Sequence, residues 1–174
     1  MKFSWKSAVT LSILAASTIV PVLSLADSAS AQVARGMTGS YVGAGVSAGV
    51  SNPDDDTTFG GNVQGRYDLA NAPISLRGSA LISDGSAALM PIISYDVGIA
   101  PNTNLYLGAG YSFVTDDEDA TPLGNQNAPV LTAGVETAVT RNIALYGDAK
   151  LGIDAYEGNS DSAVSLQLGA AYRF

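Results

Sequence analysis

The chain has 174 residues, which favours a single domain, and only 14% of them are charged, against about a quarter in an average soluble protein. Its 16 Asp and Glu outweigh 8 Lys and Arg, and the net charge of −8 argues against nucleic-acid binding. The chain has no Cys and no His, which excludes disulfides, thiolate nucleophiles, catalytic histidines and histidine-ligated metals.

The first element in chain order is a predicted export signal. Lys2 and Lys6 precede an uncharged, apolar stretch over residues 7–26, and residues 29–31 read Ala-Ser-Ala, a site of the A-x-A type for signal peptidase. The alternative is a retained membrane helix, because about twenty uncharged residues are long enough to span a bilayer. Pro21 and the cleavage site favour removal of the segment.

From residue 39 onward, apolar residues alternate with polar or small ones at a period of two, which is the pattern of β-strands. Strands of roughly nine to eleven residues have the length of a tilted strand that crosses a bilayer. Pro91, in the fourth segment, is expected to require a bulge or a weak point in the ladder. The eight predicted strands cover residues 42–50, 59–69, 74–83, 89–99, 105–113, 131–139, 143–153 and 164–174.

The charged residues of these strands all lie on the polar face. A soluble barrel or sandwich would turn its apolar face inward, but its surface would then carry unusually few charges. Contact with lipid explains a charge-free apolar face, because a Lys or Arg at the bilayer midplane costs about 2–4 kcal/mol on a barrel wall. We therefore predict a lumen filled by a charge network of Arg66, Asp68, Arg77, Asp96, Glu136, Asp148, Lys150 and Arg173.

The predicted connections differ between the two ends of the strands. Those after the first, third, fifth and seventh strands are mostly long and contain acidic residues but no Lys or Arg, whereas the others are tight turns. This is the arrangement of outer-membrane barrels. The acidic runs are interpreted as solvated loop tips or as weak divalent-cation sites that could bridge to lipopolysaccharide. They consist of Asp54, Asp55 and Asp56, and of Asp116, Asp117, Glu118 and Asp119.

The chain ends on an aromatic residue. Phe174 is terminal, Tyr172 lies two positions before it, and apolar residues occupy every second position back to Val164. This ending resembles the C-terminal assembly signal of bacterial outer-membrane barrels. With the signal peptide and eight strands, the mature chain is similar to the small eight-stranded barrel family of the OmpA/OmpX type.

The resemblance implies an all-β fold, an eight-stranded antiparallel up-and-down transmembrane β-barrel over residues 39–174. Residues 1–31 would be the signal peptide and residues 32–38 a short periplasmic segment. The implied location is the outer membrane, and the implied partners are outer-membrane lipid, lipopolysaccharide and the barrel assembly machinery.

Enzymatic activity is not expected. The protease, phospholipase, lipid A deacylase and palmitoyltransferase families of outer-membrane barrels use a catalytic His, which this chain lacks. A carboxylate pair could perform acid–base chemistry without His, but the predicted lumen holds as many cations as anions, which favours salt bridges. We predict no cofactor.

Two functions fit these expectations. In the first, a barrel with a filled lumen has a structural or surface-interaction role, and residues 115–128, the longest loop, are the candidate contact surface for an unidentified external ligand. In the second, the barrel is a narrow channel. That alternative rests on small residues of two strands, which either leave a wet path or make room for long opposing side chains: Gly43, Gly45, Ser47, Gly49, Gly108, Gly110 and Ser112.

Signal-peptide removal can be measured directly. We expect the protein recovered from outer membranes to begin at Gln32, as determined by intact mass and N-terminal sequencing. The variant Ala31→Leu should accumulate as the longer precursor, because signal peptidase requires a small residue there. A membrane-embedded protein that still begins at Met1 would contradict the assignment.

Overall fold

Eight antiparallel strands close into one barrel in the computed structural model, which confirms the predicted fold class. The structure describes residues 36–51, 57–69, 72–83, 85–115, 120–158 and 161–174, so the predicted signal peptide lies outside the described residues. No helix among the described residues is long and apolar enough to cross a membrane. The strands are β1 (Tyr41–Gly49), β2 (Thr58–Asp68), β3 (Ile74–Ile82), β4 (Ala87–Ala100), β5 (Thr103–Val114), β6 (Ala128–Ala138), β7 (Ile143–Gly152) and β8 (Ala163–Arg173).

Each strand pairs with the next along the chain, and β8 closes the barrel against β1, with Tyr41 opposite Arg173. The pairing of β4 with β5 skips Met90 and Pro91, so the weak point expected at the proline is present. The register shift in this pair lies farther along, between Gly98 and Ala100. We call the end of the barrel that carries Tyr41 and Arg173 the terminal end, and the opposite end the loop end.

The apolar face of the strands points outward. Phe59 is 74% exposed and Leu168 is 65% exposed, whereas Lys150 is 1% exposed and Glu136 is fully buried. A soluble protein would show the reverse, and a lipid-facing wall around a polar lumen is the arrangement of a transmembrane barrel. The prediction that the apolar face of the strands points outward and the polar face lines the lumen is therefore confirmed.

The lumen is apolar at the loop end. Leu81, Met90, Ile92 and Val130 point inward from the strands and form a buried cluster. Residues from two loops complete it, namely Leu123, Ala155 and Tyr156. These aliphatic positions give the loops a surface on which to bury their own apolar side chains.

The loop residues of this cluster form a cap, defined as residues 120–126 and 155–156. Thr121 and Gly124 pair as an isolated bridge, and Tyr156 donates a hydrogen bond from its hydroxyl to the carbonyl of Ser51 at 2.6 Å. Burial raises the pKa of the Tyr156 hydroxyl, which keeps this donor protonated. Residues 121–124 are buried, so the prediction of an exposed contact surface over residues 115–128 is wrong for this part of the loop.

Two glycines admit tyrosine rings into the lumen. A Cβ atom built on Gly169 would lie 2.4 Å from Cζ of Tyr146, and one built on Gly134 would lie 2.5 Å from Cζ of Tyr106. The missing side chains thus make room for long side chains from other strands, and the rings occupy that space.

This packing predicts unequal effects of adding one methyl group. We expect Gly169→Ala to lower the free energy of unfolding by about 1–3 kcal/mol, because the new methyl group collides with Tyr146. Gly78→Ala is the matched control, since a Cβ there meets no atom within 4 Å, and its effect should stay within about 0.5 kcal/mol. Urea titration in lipid vesicles followed by circular dichroism measures both variants, and equal effects would contradict this account.

Candidate functional site in the barrel lumen

Four charged side chains form a closed ring across the lumen, which we call the ionic ring. Arg66 on β2 and Arg77 on β3 are paired neighbours, so two like charges lie side by side. Asp96 on β4 lies 2.8 Å from Nη2 of Arg66 and 3.0 Å from Nη2 of Arg77. Glu136 on β6 lies 3.2 Å from Nη1 of Arg66 and 2.9 Å from Nη1 of Arg77. Each carboxylate therefore binds both guanidinium groups.

Neutral side chains complete the bonding of the ionic ring. Nε of Arg66 donates to Ser75 at 2.9 Å, and Nε of Arg77 donates to Ser94 at 2.7 Å. Such charge-assisted hydrogen bonds are stronger than bonds between neutral groups, and they fix the side chains in place. The carboxylates accept further bonds, Asp96 from Ser75 and Ser94, and Glu136 from Tyr41 and Asn104.

Residues 36–40, which we call the strap, fold into the terminal end of the barrel beneath the ionic ring. Met37 is buried, and its carbonyl accepts a hydrogen bond from Nδ2 of Asn104 at 2.7 Å. The amide of Gly39 donates to Oδ2 of Asp68 at 2.8 Å, and Asp68 also lies 3.5 Å from Nη2 of Arg66. An open pocket of about 160 Å³ lies at this end of the lumen, lined by residues of the strap, by Arg66 and Asp96 of the ionic ring, and by Pro73 and Gly98.

A second ion pair lies farther along the lumen, toward the loop end. Nζ of Lys150 lies 2.6 Å from Oδ1 of Asp148, and the hydroxyl of Tyr106 donates to Oδ2 of Asp148 at 2.7 Å. Arg77 stacks 3.6 Å above the centre of the Tyr106 ring. This cation–π contact connects the second pair to the ionic ring, so one polar network extends from the strap to the middle of the lumen.

Arg173 was predicted to belong to the charge network of the lumen, but its side chain binds backbone carbonyl groups at the terminal end instead. It has no carboxylate partner in the described part of the chain, and its guanidinium instead donates to the carbonyls of Thr38, Thr140 and Arg141. The reason is its place at the end of β8, where the side chain reaches a turn and the strap rather than the interior. Each of the other charged residues assigned to the lumen has an ion-pair partner.

Three tyrosines of the network were not singled out from the sequence. Tyr41, Tyr106 and Tyr146 are buried, and each makes a hydrogen bond inside the lumen. Their signal was present, since Tyr106 and Tyr146 occupy polar-face positions of their strands. An aromatic ring at such a position indicates a hydroxyl that points inward.

The remaining predicted residues lie elsewhere. Tyr172 and Phe174 are exposed on the outward face, 55% and 75% respectively. The described residues contain no group of three or more acidic side chains that could hold a metal ion. The acidic runs fall outside the described residues: Asp54, Asp55 and Asp56, and Asp116, Asp117, Glu118 and Asp119.

Glu136 is the most informative position for a test of the ionic ring. We expect Glu136→Gln to lower the free energy of unfolding by about 3–5 kcal/mol, because two buried guanidinium groups lose a counter-ion. Glu157→Gln, at an exposed position of the loop end, is the matched control and should leave stability unchanged. The one Trp, Trp5, lies in the predicted signal peptide, so circular dichroism is the suitable measurement. Unfolding of both variants at the same urea concentration would contradict the role of the ring.

Comparisons with known proteins agree with this architecture. Similar solved structures include Neisserial surface protein A (NspA), with a TM-score of 0.55, 18% identity, and coverage of 79% of this chain and 98% of that one. The N-terminal barrel of Pseudomonas aeruginosa OprF has a TM-score of 0.54 and 16% identity, with coverage of 79% of this chain and 98% of that one. The attachment invasion locus protein Ail of Yersinia pestis has a TM-score of 0.51 and 16% identity, with coverage of 79% of this chain and 100% of that one. At these identities the similarity shows the fold alone.

No curated protein matches this sequence. One family profile, however, covers nearly the whole chain. The profile of the family described as "Outer membrane protein beta-barrel domain" matches residues 13–174. The chain belongs to the outer membrane protein β-barrel family.

Proposed function

We propose that this protein is a non-enzymatic outer-membrane barrel with a structural or surface-interaction role, exported by residues 1–31, whose lumen does not conduct. The observation that carries the proposal is closure at three levels, by the strap, the ionic ring and the cap. Eight strands enclose a space that side chains can fill, which agrees with a closed lumen.

A solute that enters from the terminal end, which is the periplasmic side in this family, meets the ionic ring beyond the strap. The four side chains of the ring are at most 6% exposed, and their ion pairs join β2 and β3 to β4 and β6. A hydrated ion could pass only if these pairs separated. Separation would leave charges without partners inside the barrel, which is strongly unfavourable.

At the extracellular end, the buried cluster that contains Leu81, Met90, Ile92 and Val130, which we call the apolar cluster, is a further barrier. Its side chains are mostly aliphatic and replace the hydration shell of an ion poorly, so passage would require an unfavourable desolvation. Leu123 of the cap is 1% exposed, which leaves little access from outside. The lumen carboxylates are hydrogen-bonded and paired with cations, and this bonding also supports a non-enzymatic role.

Two observations support a surface role, namely the names of similar structures and the acidic composition of the loops. NspA is described as a surface protein and Ail as an attachment invasion locus protein, and both share this fold. In the present chain, the long connections contain acidic residues and no Lys or Arg. We infer that divalent cations bridge the two acidic runs to anionic lipopolysaccharide, since carboxylate oxygens are the preferred ligands of Ca²⁺.

Single-channel recording in planar bilayers tests closure. We expect the unmodified protein, shown to be folded by heat-dependent gel mobility, to give no steady conductance. Glu136→Ala combined with deletion of residues 120–126 weakens the ionic ring and removes most of the cap. This combined variant should produce at least transient openings, which shows that the assay detects a pore of this size. Steady conductance of the unmodified protein, little changed in the combined variant, would favour the channel instead.

A further inference from the structure

Three buried polar atoms around Lys150 have no hydrogen-bond partner among the described residues. They are Oγ1 of Thr132, Oγ of Ser165 and Nε2 of Gln167. All three residues are at most 5% exposed, so bulk water does not reach them freely. Buried polar groups are almost always hydrogen-bonded, and each exception therefore requires an explanation.

The strand register brings these groups together. Thr132 on β6 and Ser165 on β8 are the paired neighbours of Lys150 on β7, one on each side. All three face the lumen, and directly paired side chains have Cβ atoms about 5 Å apart. Gln167 is the next lumen-facing residue of β8, and its Oε1 lies 3.2 Å from Nζ of Lys150.

Lys150 itself has a free donor. Its ammonium group carries three N–H bonds, of which one donates to Asp148 at 2.6 Å and one to Gln167 at 3.2 Å. The third has no acceptor in the described part of the chain. The cluster therefore presents an ammonium N–H, an amide NH₂ group and two hydroxyls, all of which can donate to a bound acceptor.

The cluster lies directly beneath the cap. The neighbour of Ser165 on β1 is Gly49, and the space that a side chain would fill there is occupied by Pro122 of the cap. The apolar cluster lies on the loop side, and Asp148 lies on the terminal side. This position separates the donors from solvent at both ends of the barrel.

We propose that Lys150, Thr132, Ser165 and Gln167 form a buried site for a small hydrogen-bond acceptor, either a water molecule or a halide ion. Both species are compact. A halide ion accepts several hydrogen bonds at once, whereas a water molecule accepts up to two and can itself donate to the oxygens of the two hydroxyls. Buried waters typically make about three hydrogen bonds to groups that would otherwise be unsatisfied, which agrees with the donors present here.

Removal of the hydroxyls distinguishes an occupied site from a dry one, because the urea midpoint of unfolding should fall in the first case and stay equal or rise in the second. Thr132→Val and Ser165→Ala should each lower the urea midpoint in vesicles by about 0.5 M if the hydroxyl holds a bound acceptor. If the site is dry, the same changes remove an unsatisfied polar group and should raise the midpoint or leave it unchanged. Either of those results would overturn the proposal.

Ser112→Ala is the matched control. Ser112 is also buried with an unpartnered hydroxyl, but its neighbour on β6 is Ala128 and its end of the lumen is apolar. A dry hydroxyl is expected there, so Ser112→Ala should not lower the midpoint. A decrease equal to that of Ser165→Ala would overturn the proposal, because the effect would then not depend on Lys150.

Halide exchange identifies the occupant. Urea midpoints in fluoride, chloride and bromide at equal ionic strength should differ for the unmodified protein, and become equal in Thr132→Val, if a halide binds. Equal midpoints in all three salts, together with the loss in the variants, assign the site to water. If the variants do not fold, a crystal structure in bromide decides: density within hydrogen-bond distance of Nζ of Lys150 supports the site, and its absence overturns it.

Discussion

A charged side chain in the membrane-spanning part of this barrel can only point inward, because the outer wall contacts hydrocarbon. All such charges must therefore share one narrow lumen, and each needs a partner there. The ionic ring meets this requirement for the two arginines. Arg66 and Arg77 would repel each other on neighbouring strands, but Asp96 and Glu136 each bind both of them.

The ionic ring also has a mechanical consequence. Hydrogen bonds of the sheet connect each strand only to its two neighbours, whereas Glu136 on β6 binds arginines on β2 and β3 across the lumen. The Tyr106 ring, between Arg77 and Asp148, adds a further connection of this kind. We infer that the cross-section of the barrel is fixed by these contacts as well as by strand pairing.

The fold and the faces of the strands could be predicted because exclusion of charge from lipid is a local rule that each strand obeys separately. The partners could not, since Arg66 reaches both Asp96 and Glu136 only after the barrel has closed. The cap was missed for a related reason. Leu123 stands between Pro122 and Gly124 in what reads as a loop, and its burial depends on contacts with residues of another loop.

The side chains that fill the lumen differ between the two ends of the barrel. The ion pairs occupy the half of the lumen at the terminal end and its middle, where they keep charges away from lipid, while the half at the loop end is mostly apolar and anchors the cap. Met90 and Ile92 explain why the alternation of the fourth strand is weak, since they are apolar residues on the inward face. The same residues that blur the sequence pattern hold the cap in place. Toward the loop end, this apolar layer therefore covers the buried ion pairs of the lumen.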